Sequence, residues 1–287
     1  MIDDFVLIIG AMRCGTTSLF HYLSEHPQVA SCRDKEPDFF AVDSRWSRGL
    51  EWYLDLWSRS WNPGVSRIAL EASTNYSKRS LFPLTVARIA TIKARFRFIY
   101  LLRDPIHRIE SHYTLGAAKG WREALRPLAD GIHPDLIEPS RYAAQLDPYR
   151  ERFSRESILL LAFEALQQRP EQVISSVCRF LDIDPSHQFR GLDLIHNSNV
   201  GRRPGEIGQR LYRLRTFIPY WQRIVRSIPP ERRNAIRRLM SRRGGKNAQL
   251  SEEQQRFLLR ELSDDLRRLR GEYGFDTSIW GLEDRGD

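Results

Sequence analysis

Two glycines, an arginine and two threonines in the stretch IIGAMRCGTTSLF have the spacing of a phosphate-binding loop. Gly10 and Gly15 fit the pattern G-x-x-x-x-G, and Thr17 occupies the position of its hydroxyl residue. The backbone N–H groups of such a loop, with a helix N-terminus behind them, converge on anionic oxygens. Thr16 replaces the usual lysine, and Arg13 lies inside the loop. The loop predicts an anion site and weakens the case for a nucleoside triphosphatase.

A second group of candidate anion-binding side chains lies in the stretch LLRDPIHRIES. Asp104 followed by Pro105 is typical of a helix start, with an acidic N-cap and a proline in the first turn. Arg103 would then project from a strand end, while Arg108 and Ser111 would share one face of the helix. Such a set can bind one phosphate. A surface cluster of ion pairs is the alternative interpretation of this stretch taken alone.

The elements that must position these residues follow from continuous apolar runs. Four runs predict strands buried on both faces, at 4–10, 67–72, 96–102 and 157–163. They alternate with helical patterns at TTSLFHYLSEHP and at 80–93, 105–117 and 170–181. The alternation predicts an α/β fold, a P-loop-like parallel sheet flanked by helices. Ligands of such sheets bind at the carboxyl ends of the strands, so the glycine loop and the Arg103 turn can meet in one cleft.

The last third of the sequence changes to helical patterns. From Gly201 onward we expect helices only, at roughly 206–227, 230–241 and 251–271. Ser251 with Gln254 three residues later predicts a capping box at the start of the last helix. We interpret residues 1–287 as a single domain, with an α/β core over 1–200 and a helical C-terminal portion over 201–287.

The positive charge is concentrated in one segment. The chain has 287 residues and a net charge of +9, yet residues 201–243 contain thirteen arginines and two acids. Because the charge is local, we expect no general binding to nucleic acid. No apolar run approaches the ~20 residues that span a bilayer, and the stretch MIDDFVLIIG has acids where a secretion signal has basic residues. We expect a soluble, cytoplasmic protein.

The three cysteines, Cys14, Cys32 and Cys178, are too few and too scattered for a disulfide framework or a zinc site. Cys14 lies inside the glycine loop. It is either a small residue that fits a tight turn or a reactive thiol, if Arg13 and the helix N-terminus lower its pKa.

The stretches GAMRCGTTSL and LLRDPIHRIESHY resemble the two cofactor motifs of the sulfotransferase family that uses 3′-phosphoadenosine 5′-phosphosulfate (PAPS). The resemblance is to a soluble, bacterial-like member of the carbohydrate and heparan-sulfate branch. It implies that the first motif holds the 5′-phosphosulfate, the second holds the 3′-phosphate, and no metal is needed. It also implies that Arg13, in place of the usual lysine, is a catalytic cation beside the bridging oxygen. The stretch HNSNVGRRPG resembles the loop that closes over the 3′-phosphate. The implied cofactor-binding residues are Arg13, Cys14, Gly15, Thr16, Thr17, Ser18, Arg103, Ser111, Gly201, Arg202 and Arg203.

The stretch DKEPDFF resembles an element K-E-x-x-F-F of the same branch, in which the glutamate is the catalytic base. The resemblance therefore implies Glu36 as the base. Pro37 biases Glu36 toward an extended backbone outside a helix. A solvated ion pair with Lys35 is the alternative interpretation. Glu71, at a predicted strand end, is the second candidate base, and Ala72 stands where some heparan-type members carry a lysine.

The implied acceptor is a hydroxyl of a carbohydrate, glycolipid or other small molecule. The stretch RWSRGLEWYLDLWSRSW has four tryptophans, which could form a wall for a sugar. Alternatively, Leu50, Leu54 and Trp57 recur at helical spacing and would pack in the core. The stretch SRYAAQL lies where the family often contacts the acceptor.

Residues 210–229 carry an apolar stripe among arginines. This segment either packs on the sheet or makes a weak contact with an anionic membrane surface. Two other functions remain open for the whole chain: a P-loop nucleotide kinase with a degenerate loop, and a non-catalytic anion- or membrane-binding module.

Overall fold

The computed structural model describes residues 2–189, 192, 202–204, 241–243 and 248–282. The chain divides into two compact units. The first combines Met1–Arg108, Ile137–Asn197 and Ser251–Asp287, and the second combines Ile109–Leu136 with Ser198–Leu250. That residues 1–287 form one domain stays a prediction. Gly201, the predicted helix over 206–227, the apolar stripe over 210–229 and residues 230–240 lie outside the described residues.

The first unit contains a five-stranded sheet in which all neighbouring strands are parallel. The strands are β1 (Asp4–Gly10), β2 (Val29–Ser31), β3 (Ile68–Ala72), β4 (Arg95–Leu102) and β5 (Ile158–Ala162), in the order β2-β3-β1-β4-β5. Four of them match the predicted strands. The prediction missed β2, because three residues are too short for a periodic signal. The predicted α/β fold is confirmed.

Helices connect the strands, as the alternating pattern predicts. In chain order they are α1 (Thr16–Ser24), α2 (Asp43–Trp46), α3 (Gly49–Asp55), α4 (Thr85–Thr91), α5 (Pro105–Lys119), α6 (Pro134–Ile137), α7 (Tyr142–Arg150), α8 (Phe163–Gln168), α9 (Pro170–Phe180) and α10 (Glu252–Gly271). Two short strands, β6 (Arg202–Pro204) and β7 (Ser241–Arg243), pair antiparallel in the second unit. The expectation of helices only after Gly201 is therefore wrong. None of the helices within the described residues is long and apolar enough to cross a membrane.

The register of the sheet brings three segments of the chain to one edge. Ile8 of β1 pairs with Ala72 of β3, and Gly10 pairs with Tyr100 of β4. The chain continues this pairing beyond the strands, since the Ala11 N–H donates to the Leu101 carbonyl at 2.7 Å. Because carboxyl ends of parallel strands share an edge, the segments after β1, β3 and β4 all begin there.

The tryptophan-rich stretch forms two short helices, α2 and α3, because the chain turns at Gly49 with φ 80°. Trp57 and Tyr53 are fully buried. The prediction that Leu50 joins this core face is wrong, since the turn leaves its side chain 39% exposed. Core packing thus accounts for part of the stretch, while Trp46 and Trp52 remain half-buried.

The last described helix, α10, begins with the predicted capping box of Ser251 and Gln254. Its buried side chains include Leu258, Leu262, Leu266 and Leu269. The Asp265 carboxylate accepts the backbone N–H groups of Ala143 and Ala144, in the first turn of α7, at 3.0 and 2.9 Å. Helix α10 is therefore attached to α7 by both apolar packing and a buried carboxylate.

Candidate active site

The loop after β1 needs both of its glycines. Gly10 has φ 154°, and a Cβ there would collide with the Ser77 hydroxyl and approach the Tyr100 ring to 2.9 Å. Gly15 has φ 83°, and a Cβ there would lie 2.8 Å from the Phe163 ring. Glycine adopts such angles without a steric penalty. The two glycines of the sequence pattern thus let the loop pass close to β4, Ser77 and α8.

Helix α1 follows this loop directly and begins at Thr16. The first N–H groups of a helix have no intrahelical acceptor, and its N-terminus carries a partial positive charge. Thr16 and Ser18 are buried, and Thr17 is half-buried. The Cys14 N–H, by contrast, donates to the Ala11 carbonyl at 3.1 Å, so this amide is used inside the loop. The cofactor roles of residues 14–18 stay predictions.

Three arginines cluster at the loop. Arg103 Nη1 donates to the Arg13 carbonyl oxygen at 3.2 Å. Burial lowers the pKa of Arg13, and the positive charges of Arg103 and Arg108 lower it further. Arg108 is completely buried, which lowers the pKa of its guanidinium as well. Like charges at such proximity repel each other, so an anion bound among them would relieve the repulsion.

The arginines are held by neighbours from distant parts of the sequence. The Arg103 guanidinium lies 4.8 Å from the centroid of the Phe163 ring, within the range of a cation–π contact. The Tyr142 hydroxyl donates to the Arg103 carbonyl at 2.7 Å, and Arg108 Nε donates to Ser140 Oγ at 2.5 Å. Ser140 and Tyr142, which belong to the predicted acceptor stretch, are fully buried and support the arginines.

Helix α5 begins as predicted. Asp104 Oδ1 accepts the N–H groups of Ile106 and His107, at 2.8 and 3.3 Å, and Pro105 is the first helical residue. Ser111 is buried one turn after Arg108 and belongs to the second unit. Its participation in a phosphate site stays a prediction, as do the roles of Arg202 and Arg203. Of the latter two, only the backbone is described.

Glu164 supports the arginine turn and has no signal in the sequence. Its Oε1 accepts the Asp104 N–H at 3.0 Å, and its Oε2 accepts the indole N–H of Trp280 at 3.0 Å. These partners are 60 and 116 residues away along the chain. Only the position of Glu164, just after a predicted strand, could have suggested it.

The segment after β2 carries the candidate base, Glu36. The side chain of Glu36 is 46% exposed, and Lys35 Nζ lies 3.1 Å from its Oε1. Its backbone N–H donates to the Ala72 carbonyl, the last residue of β3, at 2.9 Å. Glu36 lies on a loop as predicted, but the expected extended backbone is wrong. Its φ is 61°, because the bond to Ala72 and neighbouring loop contacts fix the turn.

Backbone strain occurs both in the loop after β1 and in the loop that carries Glu36. Among the described residues, four that are not glycine have positive φ, and three of these are Arg13, Glu36 and Asp38. Such conformations are costly and persist where the surrounding structure fixes them, typically at functional sites. Within the described residues, the loop after β1 and the loop of Glu36 are therefore the two strongest candidates for functional segments.

Two further groups at this edge are buried. The Cys14 thiol is completely buried, and burial raises its pKa to about 12, which favours a small residue that fits the tight turn over a reactive thiol. Glu71, the second candidate base, is completely buried. Its Oε2 accepts the Tyr53 hydroxyl at 2.5 Å, and its Oε1 accepts the Ser73 hydroxyl at 2.8 Å. Within the described residues, no cluster of histidine, cysteine and acidic side chains could hold a metal ion.

A family model described as the sulfotransferase domain matches residues 3–198. The chain belongs to the sulfotransferase family. The match includes the glycine loop after β1, the Glu36 segment after β2 and the Arg103 turn after β4. The resemblance stated from the motifs is thus confirmed at the level of the family.

Several sulfotransferases of known activity are similar to this chain. Mouse heparan sulfate glucosamine 3-O-sulfotransferase 3B1 is 29% identical over 187 residues, which are 62% of this chain and 45% of that protein. Human heparan sulfate glucosamine 3-O-sulfotransferase 6 is 28% identical over 239 residues, 77% of this chain and 66% of that protein. Mouse bifunctional heparan sulfate N-deacetylase/N-sulfotransferase 4 is 26% identical over 201 residues. This chain spans 23% of that enzyme and less than half of the 3B1 protein.

A solved structure matches nearly the full length of this chain. It is the crystal structure of a sulfotransferase from Alicyclobacillus acidocaldarius, with a TM-score of 0.64 and 21% identity. The match covers 98% of this chain and 100% of that chain. At this identity, the likeness establishes the fold alone.

Proposed function

We propose that this sulfotransferase moves the sulfuryl group of PAPS to a hydroxyl of a glycan or a related small molecule, with Glu36 as the base. The observation that carries the proposal is the cluster of Arg13, Arg103 and Arg108 at the N-terminus of α1. Similarity to the heparan sulfate sulfotransferases supports a glycan acceptor. The acceptor, the base and the cofactor are all part of the proposal.

The residues at the loop fit the two anionic ends of PAPS. Arg13 and the first amides of α1 would hold the 5′-phosphosulfate, because Arg13 lies in the loop after β1 and α1 follows that loop directly. Arg103 would hold the 3′-phosphate. The place of the usual loop lysine is taken by Thr16. That lysine serves a γ-phosphate, which PAPS lacks.

Bound PAPS would supply an activated sulfuryl group with a phosphate as the leaving group. Arg13 would provide a positive charge for the leaving phosphate, and the loop amides would add oriented dipoles. Arginine stays charged at all physiological pH values, so Arg13 acts through its charge and donates no proton. The half-exposed Glu36 carboxylate can reach an acceptor hydroxyl and take its proton.

The test is the variant Glu36→Gln, with Asp34→Asn as a matched control. Both remove one exposed carboxylate from the same loop, but only Glu36 is assigned as a base. We expect Glu36→Gln to lose about 10²–10⁴-fold in kcat. It should keep the thermal shift that the product 3′-phosphoadenosine 5′-phosphate (PAP) produces, because Glu36 is not a cofactor ligand. Near-normal turnover by Glu36→Gln would overturn the base assignment.

Binding of the cofactor is tested separately. Wild-type protein that shows no thermal shift with PAP would overturn the cofactor assignment. Wild-type protein that binds PAP but transfers no sulfate across a broad set of sugar acceptors would favour a non-catalytic anion-binding module. Magnesium-dependent turnover of ATP without any response to PAP would favour a nucleotide kinase.

A further inference from the structure

The buried carboxyl of Glu71 interacts with three hydroxyl groups. Tyr53 donates to Oε2 and Ser73 donates to Oε1, at 2.5 and 2.8 Å, and the neighbouring Tyr76 hydroxyl also lowers the pKa of the carboxyl. A carboxylate has no proton of its own to give. The hydroxyls of Tyr53 and Ser73 therefore point their single protons at Glu71 and offer only lone pairs to their other neighbours.

Two of the three hydroxyls accept N–H groups of the loop that carries Glu36. Ser73 Oγ accepts the Asp38 N–H at 3.1 Å, and the Tyr76 hydroxyl accepts the Phe40 N–H at 3.4 Å. The third hydroxyl, that of Tyr53, is bonded only to Glu71 among the described hydrogen bonds. The carboxylate thus sets the direction of the bonds that hold the loop backbone.

The loop needs such support because of its backbone conformation. Glu36 and Asp38, on either side of Pro37, have φ of 61° and 53°. Side chains with a Cβ adopt these angles rarely and at a cost, so fixed contacts must maintain them. The direction of the Glu36 side chain follows from this backbone.

We propose that Glu71 is a positioning residue for sulfuryl transfer, which orients Ser73 and Tyr76 so that they hold the Asp38–Phe40 backbone and aim Glu36 at the acceptor. The catalytic part of this inference rests on the proposed role of Glu36. In this proposal Glu71 does not serve as the base itself, because a fully buried carboxyl that already accepts two hydroxyl protons is out of reach of an acceptor.

The ionisation of Glu71 should be visible near neutral pH. Burial raises the pKa of Glu71 to about 7, against the opposing effect of its hydroxyl donors. The charge of Asp38 raises it further. The other titratable groups that face it are Tyr53 of α3, Tyr76 after β3 and Cys32 after β2. Burial raises the pKa of all three, so they stay neutral in this range.

Protonation of Glu71 turns one oxygen into a donor, so one hydroxyl must point its proton elsewhere, and the loop loses a bond when that hydroxyl is Ser73. Turnover should therefore fall as the pH drops through about 7. Stability changes in the opposite direction. The pKa of Glu71 in the folded protein lies above its ordinary value of 4.5. The contribution of this carboxyl to the free energy of unfolding is therefore fully present below pH 4.5 and is lost as the pH rises through about 7.

The test compares Glu71→Gln and Ser73→Ala with Tyr53→Phe, by hydrogen exchange of the loop amides and by steady-state kinetics. In the first two variants we expect the Asp38 amide to exchange at least about tenfold faster. We expect kcat to fall by about 10–100-fold, with the PAP thermal shift kept. Tyr53→Phe removes a donor to Glu71 but no loop contact, so its loop exchange should change by less than about threefold. The acidic limb near pH 7 should be absent in Glu71→Gln.

Unchanged exchange of the Asp38 amide in both Glu71→Gln and Ser73→Ala would overturn the inference, as would equal exchange in Ser73→Ala and Tyr53→Phe. If Glu71→Gln does not fold, Ser73→Ala decides alone, since it leaves the carboxyl in place. Exchange requires no substrate. The positioning role of Glu71 can therefore be refuted by exchange while Glu36→Gln is inactive, or supported by exchange while Glu36→Gln is active. The failure of this inference and the failure of the proposed base are thus distinguishable.

Discussion

Replacement of Arg103 by alanine tests the anion site through a single side chain. Arg103 donates to the Arg13 carbonyl at 3.2 Å and stacks on Phe163 at 4.8 Å, so its guanidinium is held at the loop before any ligand binds. A hydrogen bond to a charged group contributes about 2 kcal/mol, and its loss weakens PAP binding by roughly 30-fold.

The thermal shift follows from this difference in affinity. At a hundred times its Kd, PAP stabilises the wild-type protein by about 2.7 kcal/mol, which raises the Tm by roughly 5–10 °C. At the same PAP concentration, a 30-fold higher Kd leaves about 0.9 kcal/mol, or roughly 2–4 °C. Since Arg103 also contacts the protein, each variant is compared with its own ligand-free Tm.

Arg267→Ala provides the matched control for the loss of an arginine. Arg267 is 71% exposed on α10 and pairs with Asp264 within the same helix. We expect this variant to keep the wild-type shift in differential scanning fluorimetry. If Arg103→Ala also keeps the full shift, the assignment of this turn to an anionic end of PAPS is refuted.

Two further predictions concern residues next to the site. Asp104→Ala removes the acceptor of the Ile106 and His107 N–H groups. It should cost about 1–2 kcal/mol, or roughly 2–8 °C in Tm, whereas Asp104→Asn keeps an acceptor oxygen and most of the stability; equal losses in both would contradict the capping role. Because burial raises the pKa of Cys14 to about 12 and the other two cysteines are buried as well, a thiol reagent at pH 8 should label the native protein slowly and the denatured protein at three sites. Rapid native labelling of Cys14 would contradict its burial.

The sequence predicts the parts of the site whose signals are local. Gly10 and Gly15 are visible because a backbone with positive φ, in close contact with its neighbours, restricts the residue to glycine. Asp104 is visible because an N-cap acts within three residues. The central strands are visible as continuous apolar runs, since both faces of a parallel sheet are buried.

The parts of the site that the sequence does not predict depend on residues that are distant along the chain. Glu164 meets Trp280 across 116 residues, and Glu71 meets Tyr53 across 18 residues. Neither pairing has a periodic or compositional signature. The backbone of Glu36 shows the same limit, because the local effect of Pro37 favours an extended conformation that tertiary contacts override.

The order of the strands separates the residues proposed to bind the donor from the loop proposed to act on the acceptor. The central strand β1 has β4 on one side and β3 on the other. The arginine turn continues β4, whereas the Glu36 loop is bonded to Ala72 at the end of β3. Acceptor preference can therefore diversify through the β3 side while donor recognition stays constant. A mutant library restricted to residues 42–52 would explore new acceptors without touching Glu36 or the supports of Arg103.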